Sequence, residues 1–292
     1  MRYKLLVFSV WMELIFPMRC AAADVAASTS TLVVSVSTFN VTASSVPVPT
    51  TVWRSVTNTA FESGEDFFFV ISWGVITGGY SSLSVHGIET VQGRPAYHLV
   101  EDANSAGVVD TFYHVHDRND AWLDTQALVT VRYEKRVREG KYRVEETGLL
   151  DQLQHRYAVH SNRIDKNTYE DKQGYLTPDV LDALGSLYYV RTLPMVVGQS
   201  YTMDVFSGEK VYPLVVKIKK REIVKVPAGK FDCFVVEPLL REPGIFVSKG
   251  KKLEVWLTAD DRHMPVRMRT ELLIGHVSAA LVSYHKVSPP RP

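Results

Sequence analysis

From Phe61 onward apolar and polar residues alternate along most of the chain, the mark of strands that bury one face. Glu65 to Ile76, EDFFFVISWGVI, is rich in aromatic and β-branched residues and predicts a strand, turned at Gly78-Gly79 into YSSLSVHGIETV. Gln92-Gly93-Arg94 turns that strand into PAYHLVEDA. Further strands are predicted at Val108 to His116, Ala121 to Leu123, Leu128 to Val137, Tyr142 to Leu150 and Leu153 to His160, before a polar passage from Asn162 to Gln173. In the Leu128–Leu150 hairpin, turned at Glu139-Gly140-Lys141, Val129, Val131, Tyr133 and Lys135 share one face. Thr130, Arg132, Glu134 and Arg136 share the other, which predicts a solvated side.

The period then changes. In TPDVLDALGSLYYVRTLP, residues 177 to 194, the apolar positions Val180, Leu181, Leu184, Leu187 and Tyr188 fall on one stripe of a helix, predicted over 178–191. Thr177 reads as its N-cap, Pro178 as its first residue, and Pro194 as its stop. Gly185 costs such a helix about 1 kcal/mol relative to Ala, which implies either close packing at that point or a shorter helix. Alternation resumes at Ser200–Phe206, Val211–Lys219, Glu222–Pro227, Phe231–Pro238, Lys252–Leu257, Val266–Leu273 and His276–Tyr284, with Pro227-Ala228-Gly229-Lys230 as a turn. About a dozen strands and one helix predict an all-β fold, mainly antiparallel. A large sheet would curl into a barrel or half-barrel, with the helix capping its concave face.

The first fifty residues follow a different rule. Two basic residues in Met1–Lys4, an apolar run from Leu5 to Met18 and Ala21-Ala22-Ala23 predict a secretory signal peptide over 1–23. Fourteen residues interrupted by Glu13 are short for the ~20 that span a bilayer, so no transmembrane segment is expected in the mature chain. Pro17-Met18-Arg19 ahead of Cys20 lacks the small residues of a lipidation site. Residues 24–52, rich in Ser, Thr, Val and Pro, read as a disordered leader, 53–286 as one antiparallel β domain, and 287–292 as a frayed tail.

Charge narrows the partners. The formal net charge is +1, and loss of residues 1–23 turns 33 basic and 32 acidic residues into 30 and 31. A near-neutral chain does not suit nucleic acid. Cys233 is then the one remaining thiol; an exported chain so built has no internal disulfide, and FDCFVVE presents Cys233 as a small buried hydrophobe.

Candidate chemistry is sparse. His114 and His116 have a spacing that can contribute to a zinc or copper site, with His98 on a neighbouring strand, but no third ligand is evident and no cofactor is expected. Asp260, Asp261 and His263 in WLTADDRHMP could share a proton, yet no nucleophile elbow or phosphate loop accompanies them and the run also reads as a tight turn. Lys217, Lys219, Lys220 and Arg221, with Lys249, Lys251 and Lys252, form a basic run suited either to anionic headgroups or to a solvated face.

Four ordered segments, FESGEDFFFVISWGVITGG, DALGSLYYVRTLPMVVGQSY, EIVKVPAGKFDCFVVEPLL and VWLTADDRHMPVRMRTELLIGHVSAAL, resemble the bacterial family catalogued as domain of unknown function 3108. The resemblance runs from Phe61 to about Tyr284 and implies an exported envelope protein of Gram-negative bacteria with a single antiparallel β domain. It supplies no catalytic residues, and this chain has Gly185 where the family's middle motif usually has Ser. The expected function is a non-enzymatic binding protein for a lipid or other apolar ligand, in the periplasm or on the periplasmic face of the outer membrane. An interaction module for envelope proteins is the alternative, and a hydrolase using Asp261 and His263 a further one. Tyr188, Tyr189 and Arg191, in the most family-like motif, are the expected ligand-binding residues.

Overall fold

A computed structural model describes residues 53–240, 253–271 and 275–285 of the chain. The predicted signal peptide with Cys20, the whole of the leader, Lys249, Lys251, Lys252 and the tail lie outside the described residues.

Fourteen strands form one fully antiparallel sheet among the described residues. In chain order they are β1 (Asp66–Trp73), β2 (Ile76–Val91), β3 (Arg94–Ser105), β4 (His116–Asp124), β5 (Thr130–Glu139), β6 (Tyr142–Asp151), β7 (Arg156–Arg163), β8 (Thr168–Tyr175), β9 (Ser200–Phe206), β10 (Val211–Val226), β11 (Gly229–Leu240), β12 (Leu253–Thr258), β13 (Pro265–Glu271) and β14 (His276–His285). Two helices interrupt them, α1 (Gly107–Phe112) and α2 (Ala183–Arg191).

The order across the sheet is β8 back to β1, then β14 back to β9. Each strand therefore pairs with its chain neighbour, β1 pairs with β14 (Asp66 opposite His285), and the circle is interrupted between β8 and β9. The connection across that gap is the segment that carries α2.

That segment also bridges the gap. Val180 O accepts from Thr130 N at the start of β5 (3.2 Å), and the next residue, Leu181, donates to Asp204 O (3.0 Å) and accepts from Phe206 N (2.7 Å) on β9. Gln152 Nε2 donates to both Thr130 O (2.6 Å) and Val180 O (3.0 Å). Strands β6 to β8 flare beyond this junction and fold against the β9–β10 turn: the Phe206 ring meets Tyr157 (4.6 Å) and Tyr133 (6.2 Å), Tyr157 Oη donates to Glu209 O (3.0 Å), and Lys172 pairs with Glu209. The sheet is thus a barrel left open by its ladders and drawn together by side chains and a two-residue bridge. Gly148 lets this happen, because a Cβ there would stand 2.0 Å from the Tyr133 ring.

Pairing places the strand ends on two rims. The β1–β2 and β5–β6 turns, α1, the end of β11 and the start of β12 share one rim; the β2–β3, β10–β11 and β12–β13 turns and the ends of α2 share the other. The main core, including Phe67, Phe69, Leu99, Leu184, Tyr188, Val235 and Leu281, lies on the concave side between sheet and α2.

Several boundaries differ from those expected. Val108–Phe112 is helical, so there are two helices among the described residues, and the β1–β2 turn lies at Gly74-Val75, where Gly74 takes φ +58°, with Gly78-Gly79 inside β2. The polar passage after Asn162 includes a strand, β8, exposed enough that no apolar alternation marks it. Strands expected at 211–219 and 222–227 are one, bent by a register shift between Ile218 and Lys220.

A candidate ligand cavity beneath the helix

Helix α2 is shorter than its apolar stripe. Its N-cap is Asp182, whose carboxylate accepts from Leu184 N (3.2 Å) and Gly185 N (2.9 Å), while Asp179 takes φ +59° and ends any helix upstream. Val180 and Leu181 are fully buried, but as the bridge across the sheet gap, so apolarity with the right spacing reflected burial and not helix. Thr130 Oγ1 donates to Asp182 Oδ1 (2.7 Å) and accepts from Asp182 N (2.9 Å). Burial raises the Asp182 pKa despite these bonds. A Cβ on Gly185 would lie 2.6 Å from both Asp182 Oδ1 and Thr130 Oγ1, which accounts for glycine within the helix: the helix is short and this point is tightly packed.

The C-terminus of α2 is anchored by Arg191, which is 1% exposed. Its guanidinium meets Glu65 in a two-pronged pair, Nη1 to Oε1 at 2.6 Å and Nη2 to Oε2 at 2.7 Å, and also donates to Ala60 O (3.0 Å) and Arg262 O (3.2 Å). The rings of Phe61, Phe67 and Tyr188 stand 5.0–5.5 Å from it. His263 Nδ1 donates to Arg191 O (2.6 Å). Arg191 therefore ties together the N-terminal segment, the helix and the β12–β13 turn.

Between the apolar side of α2 and the sheet lies a cavity of about 90 Å³. Ala183, Ser186, Leu187 and Val190 form its floor, and Leu83, Leu214, Val236, Val255 and Met268 are among its walls. The lining reaches Pro238 and Leu253, near the ends of β11 and β12 on the rim that carries α1. Its one carboxylate is Glu101, 6% exposed, which accepts from Asn119 Nδ2 (3.1 Å). Burial pushes the Glu101 pKa up to about 7. The Oδ1 of Asn119 has no protein partner.

The expected site residues are distributed differently from this cavity. Tyr188 and Arg191 are enclosed in the core, so both are packing and clasp residues; the Tyr188 hydroxyl is buried without a hydrogen-bond partner. Tyr189 is half-buried and stacks with the Arg54 guanidinium at 4.8 Å. Leu187 and Val190, on the other side of α2, line the cavity instead. Glu101 was missed, although its parity with Leu99 and Ala103 in LVEDA places it on the inward face of β3.

The remaining candidates stand apart. His114 and His116 are exposed, His114 Nδ1 bonding Asp110 (2.7 Å) and His116 bonding Asn104. His98 is six residues along β3 from Asn104, stacked on Trp122 and held between Glu89 (2.9 Å) and Asp120 (2.8 Å). No group of three potential ligands that could hold a metal occurs among the described residues. Asp260 accepts from Thr258 Oγ1 (2.5 Å) in a turn, and His263 is engaged by the Arg191 carbonyl and by neither neighbouring carboxylate. In the basic run Lys219, Lys220 and Arg221 pair with Glu237, Glu222 and Asp232 at 2.6–3.0 Å, as on a solvated face. Cys233 is fully buried, and burial pushes its thiol up to about 12.

Comparison with solved structures finds a beta-barrel-like protein of domain of unknown function DUF1849 from Brucella abortus, 10% identical, with a TM-score of 0.54 over 78% of this chain and 100% of that one. At that identity the likeness concerns the fold alone. Two further structures, a candidate lipoprotein from Parabacteroides distasonis and a candidate exported protein with a YmcC-like fold from Bacteroides fragilis, are each 10% identical with TM-scores of 0.33. They cover 80% of this chain and 99% and 100% of their own. The search of curated proteins finds no match. The family model described as "Protein of unknown function (DUF3108)" matches residues 69–282.

Proposed function

The chain belongs to the DUF3108 family of proteins of unknown function, and from that premise we propose that it is a non-enzymatic binding protein of the bacterial envelope that shelters the end of an acyl chain beneath α2. The observation that carries this reading is the apolar cavity floored by Ala183, Ser186, Leu187 and Val190. Its size sets the ligand class. About 90 Å³ falls below the ~300 Å³ of ordinary small-molecule sites and below the ~150 Å³ hollow that takes up benzene. A slim, flexible hydrocarbon chain fits that space better than a ring system. Each methylene it buries contributes about 0.8 kcal/mol.

The location follows from the basic, apolar and small-residue pattern of residues 1–23, which supports export to the periplasm or to the periplasmic face of the outer membrane. No helix among the described residues is long and apolar enough to cross a membrane. Recognition of partner proteins by strand addition has less support, because the edge strand β8 presents Glu170, Asp171 and Lys172, charges of the kind that discourage edge pairing.

The test is organic extraction of the purified protein followed by mass spectrometry, in parallel with Val190→Trp, which fills the cavity. Acyl-bearing molecules in near-stoichiometric amount in the natural chain, and their loss in a folded variant, are expected. Equal amounts in both, or none in either, would sink the reading.

A further inference from the structure

We propose that the cavity beneath α2 selects a hydroxylated acyl chain, whose hydroxyl bonds to Glu101. This rests on the reading of that cavity as a seat for an acyl chain, and it names the chains that the seat prefers. Glu101 stands opposite Leu83 on β2 and Asn119 on β4, and it shares the cavity wall with Leu83. Glu101 and Ser186 are the polar side chains of a lining that is otherwise aliphatic. The Ser186 hydroxyl donates to Ala183 O (2.7 Å) within its own helix. The carboxyl of Glu101 is therefore the lining group with unmet bonding capacity.

The surroundings of Glu101 satisfy it only in part. Asn119 Nδ2 reaches Oε2 (3.1 Å), whereas Oε1 accepts no bond from the described residues, and Asn119 Oδ1 is buried without a partner. The charges that act on Glu101, those of Asp102 and Asp182, have its own sign. Both of these acids are engaged elsewhere, Asp102 by Arg118 (3.4 Å) and Asp182 by Thr130 (2.7 Å) and the first turn of α2. A saturated chain in the cavity would shut the Glu101 carboxyl from water and return no hydrogen bond, leaving its desolvation uncompensated. A chain that carries a hydroxyl at this point supplies the missing bond.

The chemistry of the carboxyl favours a hydroxyl over other polar groups. Burial pushes its pKa to about 7, so both protonation states are populated near neutrality. A hydroxyl matches each of them, donating to the carboxylate and accepting from the carboxylic acid. An ammonium matches only the carboxylate, and its charge would have to leave water for a lining of aliphatic side chains. A second carboxylate or a phosphate would be repelled, so the acidic head of a lipid stays outside and the hydroxyl belongs to the part of the chain within. A site that bonds a hydroxyl through a buried polar group discriminates against the analogue without it, because the group is then left unpaired.

Calorimetric titration of the full chain, Glu101→Gln, Glu101→Leu and Val190→Trp would compare dodecanoic acid, its isomers hydroxylated at the second, third, tenth or twelfth carbon, and the acid aminated at the twelfth. At least one hydroxylated isomer should bind the natural chain about tenfold or more tighter than dodecanoic acid. Glu101→Leu should erase that preference while binding the plain acid at least as tightly as the natural chain does, a gain that a misfolded variant could not show. Glu101→Gln, whose amide both donates and accepts, should keep most of the preference. Val190→Trp should weaken every acid alike. Equal affinity of the plain and hydroxylated acids would overturn the proposal, since water would then satisfy Glu101; so would a preference that survives Glu101→Leu, or tightest binding by the aminated acid. Each of these leaves the acyl-chain seat standing as long as Val190→Trp weakens binding. Failure of every acid to bind would overturn both.

Discussion

Arg191 and Glu65 lie 126 residues apart and meet in a buried two-pronged ion pair, with N–O distances of 2.6 and 2.7 Å. A buried pair of this kind gains little over well-packed apolar residues, but loss of one partner strands the other charge in the core. Arg191→Ala is therefore expected to destabilise the fold by about 3–5 kcal/mol. Glu65→Leu/Arg191→Met should recover most of that loss. Urea unfolding measures both, and a cost below about 1 kcal/mol for the single substitution would contradict the clasp.

Gly185 sets two effects against each other. Alanine gains about 1 kcal/mol of helix propensity, whereas its Cβ would press on Asp182 Oδ1 and Thr130 Oγ1 at 2.6 Å. Overpacking at a rigid, hydrogen-bonded point costs roughly 1–3 kcal/mol, and both oxygens are fixed by the cap. Gly185→Ala should lower the melting temperature, and Gly185→Ser should do the same. A stabilised alanine variant would show that the cap can shift.

Glu101 makes stability depend on pH. Its pKa is raised from 4.5 to about 7 in the folded protein, so between these values the native state holds a proton that the unfolded chain has released. Stability is accordingly highest below pH 4.5 as far as this group is concerned, and falls as pH rises through the interval to about 7. The full difference amounts to roughly 3 kcal/mol at 1.36 kcal/mol per unit. Glu101→Gln should remove this slope and leave the protein more stable than the natural chain at pH 8. Denaturation midpoints at pH 5, 6, 7 and 8 for both chains provide the comparison; parallel curves would refute the assignment.

Cys233 is expected to be inert while the protein is folded, because it is fully buried and its thiol is pushed up to about 12. Peptide mapping after iodoacetamide treatment at pH 8 should show Cys233 unmodified in buffer and modified in denaturant. Ready modification in buffer would mean that the β10–β12 region opens easily.

The alternation of residues legible in DFFFVISW and HVSAALVSYH led directly to antiparallel strands, since Phe67, Phe69 and Ile71 do face inward as a period of two requires. Two kinds of feature escaped it. Val108 and Phe112 are apolar but exposed, so their pattern misled toward a strand, and β8 lacks an apolar face to reveal it. The candidate site was obscured for a different reason. In α2 almost every position is apolar or small, and which side meets the core and which the cavity depends on where the Arg191 clasp fixes the rotation of the helix. That clasp joins residues remote in sequence, and local spacing carries no record of it.

The pairing of the first strand with the last has a consequence for how the protein is made. Residues 66–175 and 200–285 each form a run of neighbour-to-neighbour hairpins that can zip locally. The β1–β14 ladder joins ends about 200 residues apart, and closing so long a loop is slow compared with hairpin formation. Until β14 has been made, therefore, β1 has only one of its two partner strands, and no ladder joins the two runs of hairpins.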